Sequence, residues 1–198
     1  MSIKDNIPAP PPVSEDQRAS KTPPEPNEGY GPEHSRLKDF FLGELKDILW
    51  AEQKLVSSLP KMTAAATSPA LRQLFETHLE ETRNHVARLE KAFALAGIPA
   101  EAVKCEAMAG IAEETDSMIE GTEAGTATRD AALILAAQKA EHYEIATYGG
   151  LAYLANVLGL LDIKGLLEAT LDEEKSADKL LSLAASAGIN RAAVYENK

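Results

Sequence analysis

Four glutamates recur at matching places in the two halves of this sequence, and their carboxylates are candidate metal ligands. When the chain is compared with itself at an offset of 92 residues, apolar positions coincide and two pairs of glutamates coincide with them. The pairs are Glu52 with Glu144 and Glu81 with Glu173, and 29 residues separate the two glutamates of each half. All four lie on or beside the apolar stripes of predicted helices. The sequence therefore predicts four carboxylates directed into one core.

Four buried carboxylates cannot all remain ionised and unpaired, because an uncompensated charge in a protein interior is strongly unfavourable. They must share protons, pair with cations or bind metal ions, and the stripes carry few lysines or arginines that could serve as partners. Metal binding is the favoured interpretation. A set of carboxylates with an imidazole suits iron or manganese, whereas the absence of thiolates argues against structural zinc. We expect at most two ions per chain.

Further candidate ligands lie one helical turn from these glutamates. His85 follows Glu81 by four residues, and Glu141 precedes Glu144 by three, so each shares a helix face with its neighbour. The alternative for His85 is a hydrogen-bonded core histidine. His78, three residues before Glu81, is expected to be structural or to support a ligand. The predicted metal set is Glu52, Glu81, His85, Glu141, Glu144 and Glu173.

The pattern departs from the usual di-iron carboxylate proteins, in which two helices each carry a Glu-x-x-His motif. No histidine stands three residues after Glu81 or Glu173. The repeat also equates His85 with Ala177, so only the first half offers an imidazole beside its glutamate. We therefore expect two unequal metal positions, with the tighter one near Glu81 and His85.

The elements that must position these residues are helices. Apolar residues recur every three or four positions from Arg36 onward, "TSP" at 67–69 is a helix start, and glycines mark helix ends. Pro60 is expected to kink or divide the first helix, and Asp162 is expected to cap the last. The first predicted helix begins at Arg36, and the others span 69 to about 96, about 106–120, about 129–158 and about 163–187. Two short-linked pairs joined by a long connection predict an all-α, ferritin-like four-helix bundle, with a short extra helix in the crossover.

The first 35 residues differ in composition from the rest of the chain. They hold eight of the eleven prolines of the 198-residue chain and few large apolar side chains. Such a segment cannot bury enough surface to fold alone. We therefore predict a proline-rich arm over residues 1–35, extended or disordered unless it packs on the bundle or a neighbouring subunit, and a bundle domain over 36–198.

Composition and charge argue against several function classes. The net charge of −11 argues against nucleic-acid binding and against docking on anionic membranes. We find no run of about 18 apolar residues that could span a membrane and no apolar core of a signal peptide. The single cysteine, Cys105, allows no intrachain disulfide. A cytoplasmic location is the prediction.

Five strings together resemble the ferritin-like stress proteins of the YciE/YciF family (DUF892) over about residues 36–188. The strings are "FFLGELKDILWAEQKLVSSLPKM", "FETHLEETRNHVARLE", "KCEAMAGIAEE", "AAQKAEHYEIATYGGLA" and "TLDEEKSADKLL". The resemblance implies a ferritin-like bundle, a dimer, a di-metal centre and a link to stress responses. It places metal at Glu52, Glu81, Glu144 and Glu173, which the repeat also selects.

Three functions fit these features. The first is a di-metal oxidoreductase, peroxidase-like or catalase-like, that acts on peroxide or oxygen. The second is a non-catalytic structural or interaction protein induced by stress, in which the arm is the working part. The third is an iron-storage subunit, which requires a cage of 24 or 12 subunits. Bound iron or manganese in a dimer favours the first function, and absence of metal favours the second.

Overall fold

A computed structural model of the chain describes residues 35–196. The predicted arm, apart from Ser35, lies outside the described residues. No strand occurs within residues 35–196, and none of their helices is long and apolar enough to cross a membrane. The helices are α1 (Arg36–Ala65), α2 (Pro69–Ala96), α3 (Glu106–Glu120), α4 (Ala127–Val157), α5 (Leu161–Ala184) and α6 (Asn190–Val194).

The four long helices form the predicted bundle. Helix α1 packs against α2 and α4, and α5 packs against α2 and α4, which closes the ring. Short connections at 66–68 and 158–160 join the members of each antiparallel pair. Residues 97–126 cross from one pair to the other and carry α3, which packs on α4 and α1. This topology confirms the ferritin-like arrangement with a long crossover.

Polar contacts fix the turn between α1 and α2. The side chain of Ser68 caps α2 by accepting a hydrogen bond from the Leu71 N–H, and Pro69 occupies the first helical position, as predicted. The buried carboxylate of Asp130, at the start of α4, accepts hydrogen bonds from the N–H groups of Thr67 (2.6 Å) and Ser68 (2.8 Å). The α1–α2 turn is thereby tied to the beginning of α4.

Two helix predictions were wrong in detail. Helix α1 continues through Pro60 to Ala65, because packing of its apolar face outweighs the one missing N–H. Helix α5 begins at Leu161, so Asp162 lies within its first turn rather than at the cap, where it still faces the positive end of the helix dipole. Gly188 does interrupt the helical path after α5, as predicted, because its backbone is non-helical within the turn Ala185–Ile189 and the short helix α6 follows this kink.

Helices α1, α2 and α5 each bury a stripe with steps of three and four residues, α4 buries a broader face, and polar residues interrupt all four at mid-bundle. In α1 the stripe includes Ile48, Glu52 and Leu55, all buried. In α5 the stripe comprises Ile163, Leu167, Thr170, Glu174, Ala177 and Leu181. The bundle therefore carries titratable groups at the centre of an otherwise apolar core.

Candidate metal centre

Six buried carboxylates and imidazoles meet in the middle of the bundle, and all four long helices contribute. Their ligand atoms form two groups, within each of which the atoms lie no more than 4.8 Å apart. The first group is His78, Glu141, Glu144 and Glu174, and the second is Glu52, His85 and Glu174. Every member is buried. Each group offers a mixture of oxygen and nitrogen ligands of the kind that first-row transition metals accept.

Glu174 belongs to both groups, and its two oxygens face different histidines. Oε1 lies 2.9 Å from Nδ1 of His85 in the second group. Oε2 lies 3.9 Å from Nε2 of His78 in the first group. The carboxylate therefore lies between the two groups and could offer one oxygen to an ion in each.

His85 is held by carboxylates on both sides of its ring. Nδ1 faces the centre, 3.4 Å from Glu52 Oε1, without hydrogen-bond alignment to any acceptor. Nε2 lies 2.9 Å from Glu173 Oε2, on the opposite side. A proton on Nε2 donated to Glu173 would leave the Nδ1 lone pair directed at the centre, which is the usual support for a metal-binding histidine.

Glu173 pairs with Arg88 as well as with His85. Nη2 of Arg88 donates to Glu173 Oε1 at 2.7 Å, and Nη1 donates to Oε2. The Arg88 hydrogen bonds hold the pKa of Glu173 below its ordinary value, so this carboxylate stays ionised beside His85. About a third of its side chain is exposed. The geometry gives Glu173 a positioning role toward His85.

His78 connects the first group to the protein surface. Its Nε2 lies 3.3 Å from Glu141 Oε1, inside the bundle, and its Nδ1 lies 3.5 Å from Glu81 Oε2, outside. The Glu81 side chain is 38% exposed, whereas that of His78 is 9% exposed. Glu81 therefore stands at the rim of the centre and is absent from both buried groups.

Burial perturbs the protonation of the whole cluster. Desolvation by burial raises the pKa of Glu144 and of Glu141 well above the ordinary value, and neighbouring carboxylates raise both further. For Glu174 burial acts in the same direction, but its close contacts with His85 and Glu141 outweigh it and lower the pKa. Burial likewise opposes protonation of His85, yet its contacts with Glu174 and Glu52 raise the pKa of His85 to about 10. Without metal, the cluster therefore holds several protons.

The atoms left without hydrogen-bond partners indicate what the cluster could hold. They are both oxygens of Glu144 and of Glu174, one oxygen each of Glu52 and Glu141, and Nδ1 of each histidine. Unsatisfied buried polar atoms are rare in proteins and call for an explanation. Four ionised carboxylates with two neutral imidazoles would be neutralised by two divalent cations. The residues present therefore fit two metal ions.

The structure brings together four of the six residues predicted from the sequence: Glu52, His85, Glu141 and Glu144. It does not bring Glu81 and Glu173 into the buried groups, and it adds His78 and Glu174, which the sequence reasoning did not select as ligands. Successive helical residues are turned by about 100°, so a neighbouring glutamate can point away from the core. That these residues bind metal stays a prediction.

The repeat itself holds, but the inward position is one residue later than predicted. At the same offset Thr82 coincides with Glu174, and both are fully buried. Read from these positions, the halves carry Thr82-x-x-His85 and Glu174-x-x-Ala177. Each half therefore keeps one of the two ligands of a Glu-x-x-His motif, and the bundle supplies the pair from two helices. The sequence feature that identifies the inward position is the strict spacing of three and four residues between the largest apolar side chains.

Comparison with known proteins agrees with this fold. A family model described as "Domain of unknown function (DUF892)" matches residues 36–194. The chain belongs to the DUF892 family. Protein YciF of Escherichia coli is 42% identical over 163 residues, which cover 82% of this chain and 96% of that protein.

Two solved structures of similar proteins share the bundle. The crystal structure of the E. coli stress protein YciF matches with a TM-score of 0.75 and 41% identity, over 79% of this chain and 99% of that one. YcfI from Rhodopseudomonas palustris, described as a candidate structural protein, matches with a TM-score of 0.73 and 38% identity. That match covers 75% of this chain and 94% of the YcfI chain.

Proposed function

We propose that this DUF892 protein binds two iron or manganese ions in the centre of its bundle and acts on peroxide or oxygen. The observation that carries the proposal is Glu174, whose two buried oxygens lack hydrogen-bond partners and lie between two ligand groups. No protein cation other than the histidines reaches these oxygens among the described ion pairs. Two nearby ions can share the electrons that reduction of an O–O bond requires.

Different residues would hold each of the two metal positions. His78, Glu141 and Glu144 would hold one position, Glu52 and His85 the other, and Glu174 would join them. The support around each ligand is what keeps such a set in one geometry.

Tyr148 and apolar side chains of the core surround the proposed ligands. Its hydroxyl donates a short hydrogen bond to Glu52 Oε1, which leaves Oε2 directed at the centre. Burial raises the pKa of Tyr148 well above its ordinary value, so the phenol keeps its proton at neutral pH. The buried side chains of Ile48, Leu55 and Leu151, on stripes that flank the ligands, exclude bulk water. A small oxidant would therefore meet ligands held rigidly in a dry site.

Metal analysis tests this proposal directly. The purified chain, loaded anaerobically with Fe²⁺ or Mn²⁺ and freed of excess ion, should retain two ions per chain by elemental analysis. A Glu144→Gln variant should retain fewer, and Glu114→Gln, a change in an exposed carboxylate paired with Lys139, should match the parent. Peroxide or oxygen consumption by the loaded parent should exceed that of Glu144→Gln. A parent that binds no metal would reject the proposal.

A structural role is the second candidate, favoured by exposed apolar side chains where α4 meets α5. Tyr153, Val157 and Leu161 are each more than half exposed. Such side chains suit contact with a second copy of the chain. We infer a cytoplasmic homodimer, to be tested by light scattering of the purified protein. A dimer without metal would favour the structural role, and a 12-mer or 24-mer would favour iron storage.

A further inference from the structure

A buried centre needs a path by which ions reach it, and one cavity in the described residues is lined both by members of the centre and by the partly exposed Glu81. The cavity has a volume of about 30 Å³, lies between α2, α4 and α5, and is lined mostly by apolar side chains. Its polar lining includes Glu81, His78 and Glu141. Leu180, which also lines it, is 47% exposed, so the wall of the cavity reaches solvent.

His78 divides this path into an outer and an inner part. Nδ1 lies 3.5 Å from the exposed carboxylate of Glu81, and Nε2 lies 3.3 Å from the buried carboxylate of Glu141. Nδ1 has no hydrogen-bond partner although the residue is only 7% exposed. A buried nitrogen without a partner, aimed at an exposed carboxylate, is a ligand pair of the type that captures a divalent cation.

Glu81 is distinguished from its acidic neighbours by its partner. Glu80 pairs with Arg83, and Glu173 pairs with Arg88, so a cation that approached either would compete with an arginine. The Glu81 carboxylate instead lies beside the imidazole of His78. Glu81, at the rim of the centre, is therefore exposed and also lies beside a nitrogen that can donate a lone pair to an ion.

We propose that Glu81 and His78 Nδ1 form a transit site that captures a divalent cation and passes it to Glu141 and Glu174. Glu81 Oε2 and His78 Nδ1 would hold the cation on the outer side of the imidazole ring, and Glu141 Oε1 lies beside Nε2 on its inner side. The inference rests on the proposed function, because it assigns a path to the same centre.

Uptake kinetics of Co²⁺, followed by its visible absorption in the full chain, test the transit site. Glu81→Gln should slow uptake about 10-fold, because electrostatic guidance of an ion into a narrow site changes rates by this order or more. The number of ions bound at equilibrium should stay that of the parent. Glu80→Gln, a change in the adjacent exposed residue, should load at the parental rate. Circular dichroism confirms that each variant is folded.

Two variants with opposite charges at the rim of the cavity give a second, independent measurement. Leu180→Glu should speed uptake and Leu180→Lys should slow it, and both effects should shrink as salt screens the surface charge. An unchanged rate in Glu81→Gln would overturn the transit site while leaving the centre intact, whatever the Leu180 variants show. Fewer ions at equilibrium in Glu81→Gln would also overturn it, because Glu81 would then be a permanent ligand. Absence of Co²⁺ binding in the parent would reject the metal centre itself.

Discussion

Adjacent residues on α5 provide a decisive comparison, because Glu173 and Glu174 have different places in the structure. Replacing either by glutamine preserves size and removes one negative charge. Glu174 has both oxygens between the two ligand groups, whereas Glu173 contacts His85 Nε2 and Arg88 outside them. Glu174→Gln should therefore weaken both metal positions, and Glu173→Gln should weaken only the one that includes His85.

The expected magnitudes follow from ligand linkage. At a free metal concentration of 100 times the dissociation constant, each bound ion should stabilise the parent by about 2.7 kcal/mol. For a domain of this size that corresponds to an increase in Tm of roughly 5–10 °C per ion. Loss of a supporting partner such as Glu173 costs about 10-fold or more in affinity, which lowers one ion's contribution to about 1.4 kcal/mol or less. A loss above 100-fold in Glu174→Gln would leave less than about 0.4 kcal/mol per ion.

Differential scanning calorimetry with and without Mn²⁺ measures these contributions, with each metal-free variant as its own baseline. The metal-dependent increase in Tm should fall in the order parent, Glu173→Gln, Glu174→Gln. If Glu173→Gln abolished the increase and Glu174→Gln retained it, Glu173 would be the ligand. The assignment of ligands from the bundle geometry would then be refuted.

Four further outcomes are expected. In the metal-free protein, burial opposes protonation of His85 but Glu174 and Glu52 raise its pKa to about 10, above the ordinary 6.5. The contribution of protonated His85 to the unfolding free energy is therefore complete below pH 6.5 and is lost as pH rises through 10. The difference in unfolding free energy between parent and His85→Gln should shrink over that range. Metal binding at pH 7 should release protons from His85, Glu141 and Glu144, and equal calorimetric heats in buffers of different ionisation enthalpy would contradict this. Asp130→Asn should lower the unfolding free energy by about 1–3 kcal/mol in denaturant titrations, because an amide replaces a buried carboxylate that accepts hydrogen bonds from two backbone N–H groups. Deleting residues 1–35 should leave the helical circular-dichroism signal intact, and its collapse would show that the arm is part of the fold.

The architecture was predictable because helix periodicity and turn chemistry are local properties of a sequence. Ser68, Pro69 and Gly97 act where their types predict, as cap, first helical residue and left-handed helix end. The short connections and the long crossover then leave few ways to pack four amphipathic helices. The pairing of Glu52 with Glu144 followed from the internal repeat, and both are fully buried.

The sequence by itself determined the bundle, the two halves and the presence of carboxylates near the core. It did not determine which of two adjacent glutamates, Glu173 or Glu174, faces inward, because both lie beside an apolar stripe and only packing fixes the rotation of a helix about its axis. Nor could it show that Arg88 binds Glu173, since that contact joins α2 to α5 across 85 positions of sequence. The tertiary structure decided these points, because the identity of a ligand depends on the direction of a side chain within one turn of helix.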